Sequence, residues 1–141
     1  MIRIAAFSLA LALGASVSFA QDQSGKADPA EVAAGQSEFM MACAACHGEK
    51  ADGNGPIATM FRNPVPNLTG LSARNNGVFP FMKVFRIIDG RAEIRGHGNP
   101  MPVFGNRFRA ELGEATGPFG AEGPVRARVL ELTFYLQSVQ H

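Results

Sequence analysis

The feature that most constrains this chain is the pentapeptide Cys43-Ala44-Ala45-Cys46-His47. On one turn of helix, side chains three positions apart project from the same side, so the two thiols can face the same ligand. Each thiol can add to one vinyl group of a haem and form a thioether. The histidine that follows is then carried beneath the iron, where its imidazole can be the proximal ligand. The spacing therefore predicts covalent haem c at Cys43 and Cys46, with His47 as one axial ligand.

Three other interpretations of the two cysteines are weaker. A thioredoxin-like redox pair requires a strand–helix–strand context, and no strand pattern surrounds the motif. A zinc site requires four ligands, but the chain has no further cysteine, and its only other histidines are His97 and His141. A structural disulfide is compatible with an exported protein, yet it gives no reason for the adjacent histidine.

Residues 1–20 have the composition of a secretory signal peptide. Arg3 supplies the positive charge, an apolar stretch follows, and the run ends in a small-x-small cleavage pattern at Ala20. The uncharged run is at the lower limit of the ~17–25 residues that a membrane-spanning helix needs, so an uncleaved anchor is the weaker alternative. We predict cleavage after Ala20, a flexible lead-in over 21–28 and one domain over 29–141. The mature protein is then periplasmic, without stable membrane insertion.

The charge balance argues against nucleic acid as a partner. The whole chain has 13 basic and 12 acidic residues, and removal of Arg3 with the leader leaves a formal net charge of zero. A nucleic-acid-binding domain is expected to carry a basic excess. The segment 83–109 is nevertheless locally basic, which makes it a candidate surface for steering an acidic redox partner.

Hydrophobic spacing predicts an all-α fold with three main helices and irregular loops wrapped around one covalent haem. The first helix has Asp28 as its N-cap and ends in the cysteine motif. The second ends at Asp89-Gly90, and the third begins at Pro124. The glycine-rich stretch 106–123 is predicted to be a surface loop.

The chain resembles the class I monohaem cytochromes c, as an exported bacterial member, over the whole predicted domain. The matching elements are, in order, Gly35 and Phe39, the Cys43–His47 motif, Pro66-Asn67-Leu68, Ile88-Asp89-Gly90, Met101-Pro102 and Tyr135-Leu136. The resemblance implies the class I cytochrome c fold, in which the first and last helices cross. For this chain it implies contact of Gly35 and Phe39 with Tyr135 or its neighbour Phe134.

The resemblance also implies a methionine as the second axial ligand. The candidates are Met40, Met41, Met60, Met82 and Met101. Met101 is favoured because Pro100 and Pro102 restrict the backbone on either side of it, and because it matches the family's Met-Pro element. Met60 and His97 remain alternatives.

Two loop residues are implied to border the haem as well. In the family, a proline carbonyl accepts a hydrogen bond from the proximal histidine, and here that proline is Pro66, with His47 as donor. Leu68 is implied to pack on the haem. The candidate partners of the haem propionates are Arg62, Arg74 and Arg91.

Iron with histidine and methionine ligands has no open position for a substrate. We therefore predict a one-electron carrier and not an enzyme. Its partners would be redox proteins, an electron donor and an electron acceptor, and the protein would be a monomer. Two alternatives stay open: a dedicated cytochrome subunit of one dehydrogenase or oxidase, and a gas-binding or gas-sensing haem protein in which Met101 is displaced.

Overall fold

The computed structural model describes residues 27–92 and 101–141, except for the side chains at 114–116, 118 and 119. These residues form five α-helices and no strand: α1 (Pro29–Ala42), α2 (Ala44–His47), α3 (Phe81–Asp89), α4 (Phe104–Gly120) and α5 (Glu122–Ser138). Two short 3₁₀ turns, Ala58–Met60 and Ala73–Asn75, lie in the connection between α2 and α3. The predicted all-α fold class is confirmed. The predicted leader and residues 21–26 of the lead-in lie outside the described residues.

The first helix begins where the sequence predicts. The Asp28 carboxylate accepts a hydrogen bond from the Ala30 N–H at 2.7 Å, and the Glu31 carboxylate accepts one from the Asp28 N–H at 3.1 Å. This reciprocal pair is a capping box, and Pro29 occupies the first helical position, where no N–H is needed. The start of α1 is thereby fixed, and with it the position of Cys43 directly after the helix.

The most extensive contact among the described helices joins α1 and α5. A β-carbon at Gly35 would overlap the backbone carbonyl of Glu131, so glycine is what lets the two helices approach. Phe39 is fully buried, and its ring centroid lies 5.2 Å from that of Tyr135. The predicted contact of Gly35 and Phe39 with the last helix is confirmed. Its aromatic partner is Tyr135, because Phe134 packs against a ring of α3 instead.

We expect Gly35→Ala to lower the free energy of unfolding by about 1–3 kcal/mol, because the added methyl group pushes two helix backbones apart. Gly113 is the matched control: it also lies within a helix, but a β-carbon there would meet nothing within 4 Å. Gly113→Ala should raise the free energy of unfolding by up to about 1 kcal/mol through helix propensity. Chemical denaturation measures both values, and equal losses in the two variants would contradict the close-contact explanation.

The predicted surface loop over 106–123 is wrong, because most of this stretch belongs to α4. Phe104 and Phe108 lie four positions apart and are both buried. Arg107 and Glu111, also four apart, form an ion pair with an N–O distance of 2.8 Å. Buried apolar area and this pairing outweigh the helix-weakening effect of the glycines.

One of the glycines that suggested a loop marks a kink instead. Gly117 has a left-handed backbone, with φ 71°, and interrupts the regular geometry of α4. The last helix begins at Glu122, two residues before the predicted start at Pro124. The three predicted main helices are thus present as α1, α3 and α5, and the structure adds α2 and α4.

Candidate functional site

The cysteine motif consists of Cys43, which follows α1 directly, and of the four residues of α2. Cys43 joins the two helices, and its carbonyl accepts hydrogen bonds from the N–H groups of Cys46 at 3.1 Å and His47 at 2.9 Å. Both cysteines are free, so the structural-disulfide interpretation finds no support. Burial raises the pKa of the Cys43 thiol to about 12, and the charges of Glu38 and Cys46 act in the same direction. Before haem is attached, Cys43 is therefore a protonated thiol at neutral pH.

The imidazole of His47 is buried and is oriented by one hydrogen bond. Nδ1 lies 3.1 Å from the carbonyl oxygen of Pro66, as the resemblance implies. Because that oxygen can only accept, Nδ1 carries the proton and Nε2 keeps its lone pair for a metal. Burial lowers the pKa of His47, and the bond to Pro66 opposes this effect only in part. The imidazole is accordingly neutral near pH 7, the form that ligates iron.

The segment that follows Pro66 is held in place by the end of the chain. The side-chain amide of Gln140 donates to the Leu68 carbonyl at 2.8 Å, and the His141 N–H donates to the Thr69 carbonyl at 3.2 Å. The Leu68 N–H in turn donates a hydrogen bond to a backbone carbonyl in the loop after α2. No sequence signal pointed to Gln140 or His141, because the contacts join positions 72 apart.

A cavity of about 320 Å³ opens beside the motif and brings three separate parts of the chain together. The residues that line it lie in the ranges 42–47, 61–66 and 101–104. The groups in it that can bond a cofactor are the two thiols, the His47 imidazole and the Met101 thioether. Apart from Asn63, the other described lining residues are apolar. Two thiols, two further side chains that can ligate iron and mainly apolar walls fit a covalent haem.

Exposure separates the candidate methionines. Met101 lines the cavity and packs against the hydrophobic core. The other candidates are exposed and do not line it: Met40 by 42%, Met41 by 73%, Met60 by 80% and Met82 by 55%. Among the methionines in the described ranges, the structure therefore brings only Met101 to the motif. His97, the alternative ligand, lies outside the described residues.

Leu68 and the candidate arginines do not reach the cavity. Leu68 is half-buried against the core, so its contact with the haem stays a prediction. Arg74 donates to a backbone carbonyl of the Pro66 loop, and Arg91 pairs with two carboxylates. Arg62 is exposed. None of these described side chains lines the cavity, so no propionate partner follows from the structure.

The described part of the chain gives no support to the other chemistries of a CxxC pair. Residues 27–92 and 101–141 contain no strand, which a thioredoxin-like site requires. The same ranges contain no group of three or more histidine, cysteine, aspartate or glutamate side chains that could hold a metal ion. A zinc site is thus without the ligands it needs there.

Comparison with known protein families identifies the same region. The family described as Cytochrome c matches residues 32–115, more than half of the chain. The match includes the cysteine motif and all three segments that form the cavity. No curated protein and no solved structure matches the chain.

Proposed function

This chain belongs to the cytochrome c family, and on that basis we propose that it is an exported one-electron carrier with His47 and Met101 as iron ligands. The cofactor is haem c, attached covalently, and Cys43 and Cys46 have the spacing that attachment requires. The described residues have the all-α fold of class I cytochromes c. When bound, the haem supplies one-electron exchange between ferrous and ferric iron.

The observation that carries the proposal is the meeting of Met101 with the cysteine motif in one apolar cavity. His47 offers Nε2 from a ring held by Pro66, and Met101 offers a thioether beside the stiff residue Pro102. With His47 and Met101 both holding the iron, a bound haem would have no open position for a substrate, which supports a carrier and not an enzyme. With haem bound, the mainly apolar walls and the thioether would both favour the ferrous state and a higher reduction potential.

Redox titration of the purified holoprotein, followed by its visible spectrum, tests this proposal. We expect one one-electron wave and a weak ferric absorption near the red end, due to sulfur-to-iron charge transfer. The reduced protein should not bind carbon monoxide at neutral pH. Binding would reveal an open iron position and favour a gas-binding protein. Purification in fixed stoichiometry with a dehydrogenase or oxidase would favour a dedicated subunit instead.

We also propose that a signal peptide over 1–20 directs export to the periplasm, where the monomer meets its redox partners in turn. The support is the charged start, the short apolar run and the cleavage pattern. Within 27–92 and 101–141, no helix has both the length and the apolar character that crossing a membrane requires. Mass spectrometry of protein from a bacterial host should show a chain from Gln21 with one haem. A full-length chain recovered with membranes would contradict cleavage.

A further inference from the structure

Four charged side chains, Asp89, Arg91, Arg109 and Glu122, form a closed ion-pair ring at the base of the segment that carries Met101. Asp89 ends α3, and its side chain is fully buried. Arg91 Nε lies 2.5 Å from its Oδ2, and Arg109 Nη2 lies 3.6 Å from its Oδ1. Glu122, the first residue of α5, closes the ring. Its Oε1 is 2.6 Å from Arg109 Nε, and its Oε2 is 3.2 Å from Arg91 Nη2.

Because the carboxylate of Asp89 is buried, each charged side chain of the ring depends on the others. A buried charge is retained only where opposite charges compensate it. Both Asp89 oxygens are within ion-pair range of a guanidinium, although neither accepts a well-formed hydrogen bond from the described residues. Arg91 and Arg109 are therefore what balances this charge, and Glu122 holds both of them in place. The hydrogen bond between Arg109 and Glu122 raises the pKa of the arginine and lowers that of the glutamate, so both stay charged.

The described residues on either side of the Met101 segment, Asp89-Gly90 before it and Val103–Gly105 after it, are in direct contact beside this ring. A β-carbon at Gly90 would overlap the side chain of Val103, and one at Gly105 would overlap the backbone carbonyl of Asp89. The end of α3 and the beginning of α4 are thus packed together with no room for a further atom. Val103 is two residues from Met101. Because only this short length of backbone separates them, a shift at the contact would also move the methionine.

We propose that the ion-pair ring positions Met101 as an iron ligand by fixing the base of the segment that carries it. Because the end of α3 and the beginning of α4 are held together, Val103 and the short backbone from it to Met101 are fixed, and Met101 stays at the cavity. Loss of a ring member would let the end of α3 and the beginning of α4 move relative to each other. The methionine would then dissociate from the iron more often. The ring residues are positioning residues that act through the backbone on either side of Met101. This inference rests on the proposed ligation by Met101.

Single replacements in the ferric holoprotein test the proposal. Glu122→Gln removes one charge at a side chain that is 46% exposed, so the variant should still fold. Asp89→Asn removes the buried charge at nearly constant volume. Glu111→Gln is the matched control, because Glu111 also bridges two arginines, Arg107 and Arg128, and is 40% exposed, but neither partner belongs to the ring.

The quantity measured is the rate at which imidazole displaces the methionine, followed at the weak red absorption band. Dissociation of the methionine limits this rate, so a looser base should raise it. For Glu122→Gln and Asp89→Asn we expect an increase of roughly two- to thirtyfold, the range found for coupling through packed networks, with unchanged far-UV circular dichroism. Glu111→Gln should exchange at the wild-type rate. If Asp89→Asn does not fold, Glu122→Gln decides the question.

Two results with the ring variants and their control would overturn the proposal. Wild-type exchange rates in the folded ring variants would show that the ring does not position Met101. An equal increase in Glu111→Gln would show that any lost ion pair has the same effect. Met101→Ala, measured in parallel, separates this inference from the proposed function. If that variant loses the band but the ring variants exchange normally, only the inference fails. If wild type lacks the band, or Met101→Ala keeps it, the ligand assignment and the inference fail together.

Discussion

Replacing both cysteines, Cys43→Ala with Cys46→Ala, is expected to abolish covalent attachment of haem and to leave a largely unfolded chain. The two thioethers are the proposed covalent links, so acid–acetone should extract all of the haem from any variant protein. The loss of structure follows from where the cavity lies. Its walls come from three segments of the chain that have to be held around one cofactor.

The size of the cavity sets the magnitude of this effect. A cavity of about 320 Å³, at about 24 cal/mol per Å³ of unfilled apolar space, corresponds to a cost of at most about 8 kcal/mol, because water can enter from the open side. Folded domains are stable by only about 5–15 kcal/mol, so a loss of this size removes half of that stability or more, and at the lower end of the range all of it. Far-UV circular dichroism should therefore show a marked loss of helix at room temperature.

Ala45→Ser is the matched control for the cysteine replacements, because Ala45 lies in the same motif but is exposed. It should keep its haem through acid–acetone extraction and unfold at the wild-type temperature. Haem that stays on the double cysteine variant would show that it is attached elsewhere. A double variant that loses its haem but keeps wild-type helix content and thermal stability would contradict the cavity argument.

Local signals were enough where a few neighbouring residues decide the structure. The Asp28 and Glu31 pair defined the start of α1, since a capping box needs only residues three apart. The motif from Cys43 to His47 predicted a cofactor that one helical turn can bind. Met101 could be preferred over Met60 because its proline neighbours restrict the backbone, and the structure brings it to the cavity.

Long-range packing decided what the sequence could not show. The stretch 106–123 has the composition of a loop, yet buried phenylalanines make most of it a helix. The basic segment 83–109 looks like a free positive surface. In the structure, Arg91, Arg107 and Arg109 pair with carboxylates from other parts of the chain or from the same helix. Fewer of these charges are available to steer a partner than the sequence suggests.

Met101→Ala is expected to remove the weak red absorption band, lower the reduction potential and open the ferric iron to imidazole. The thioether stabilises ferrous iron, and without it a weaker or exchangeable ligand takes the position. The potential should fall by tens to hundreds of millivolts, within the ~0.8 V over which axial ligands tune haem proteins. The covalent haem should remain, because both cysteines are unchanged. A redox titration and an imidazole titration measure the two effects.

Two further replacements separate the role of sulfur from the role of packing. Met101→Leu keeps nearly the same apolar volume, so it should behave like Met101→Ala in its spectrum and potential while preserving more of the thermal stability. Met60→Ala removes the same chemical group from a side chain that is 80% exposed and should leave the band and the potential at wild-type values. A band that survives Met101→Leu but disappears in Met60→Ala would assign the ligand to Met60. A band that survives all three would exclude both residues, since a sulfur ligand removed by mutation cannot give this transition.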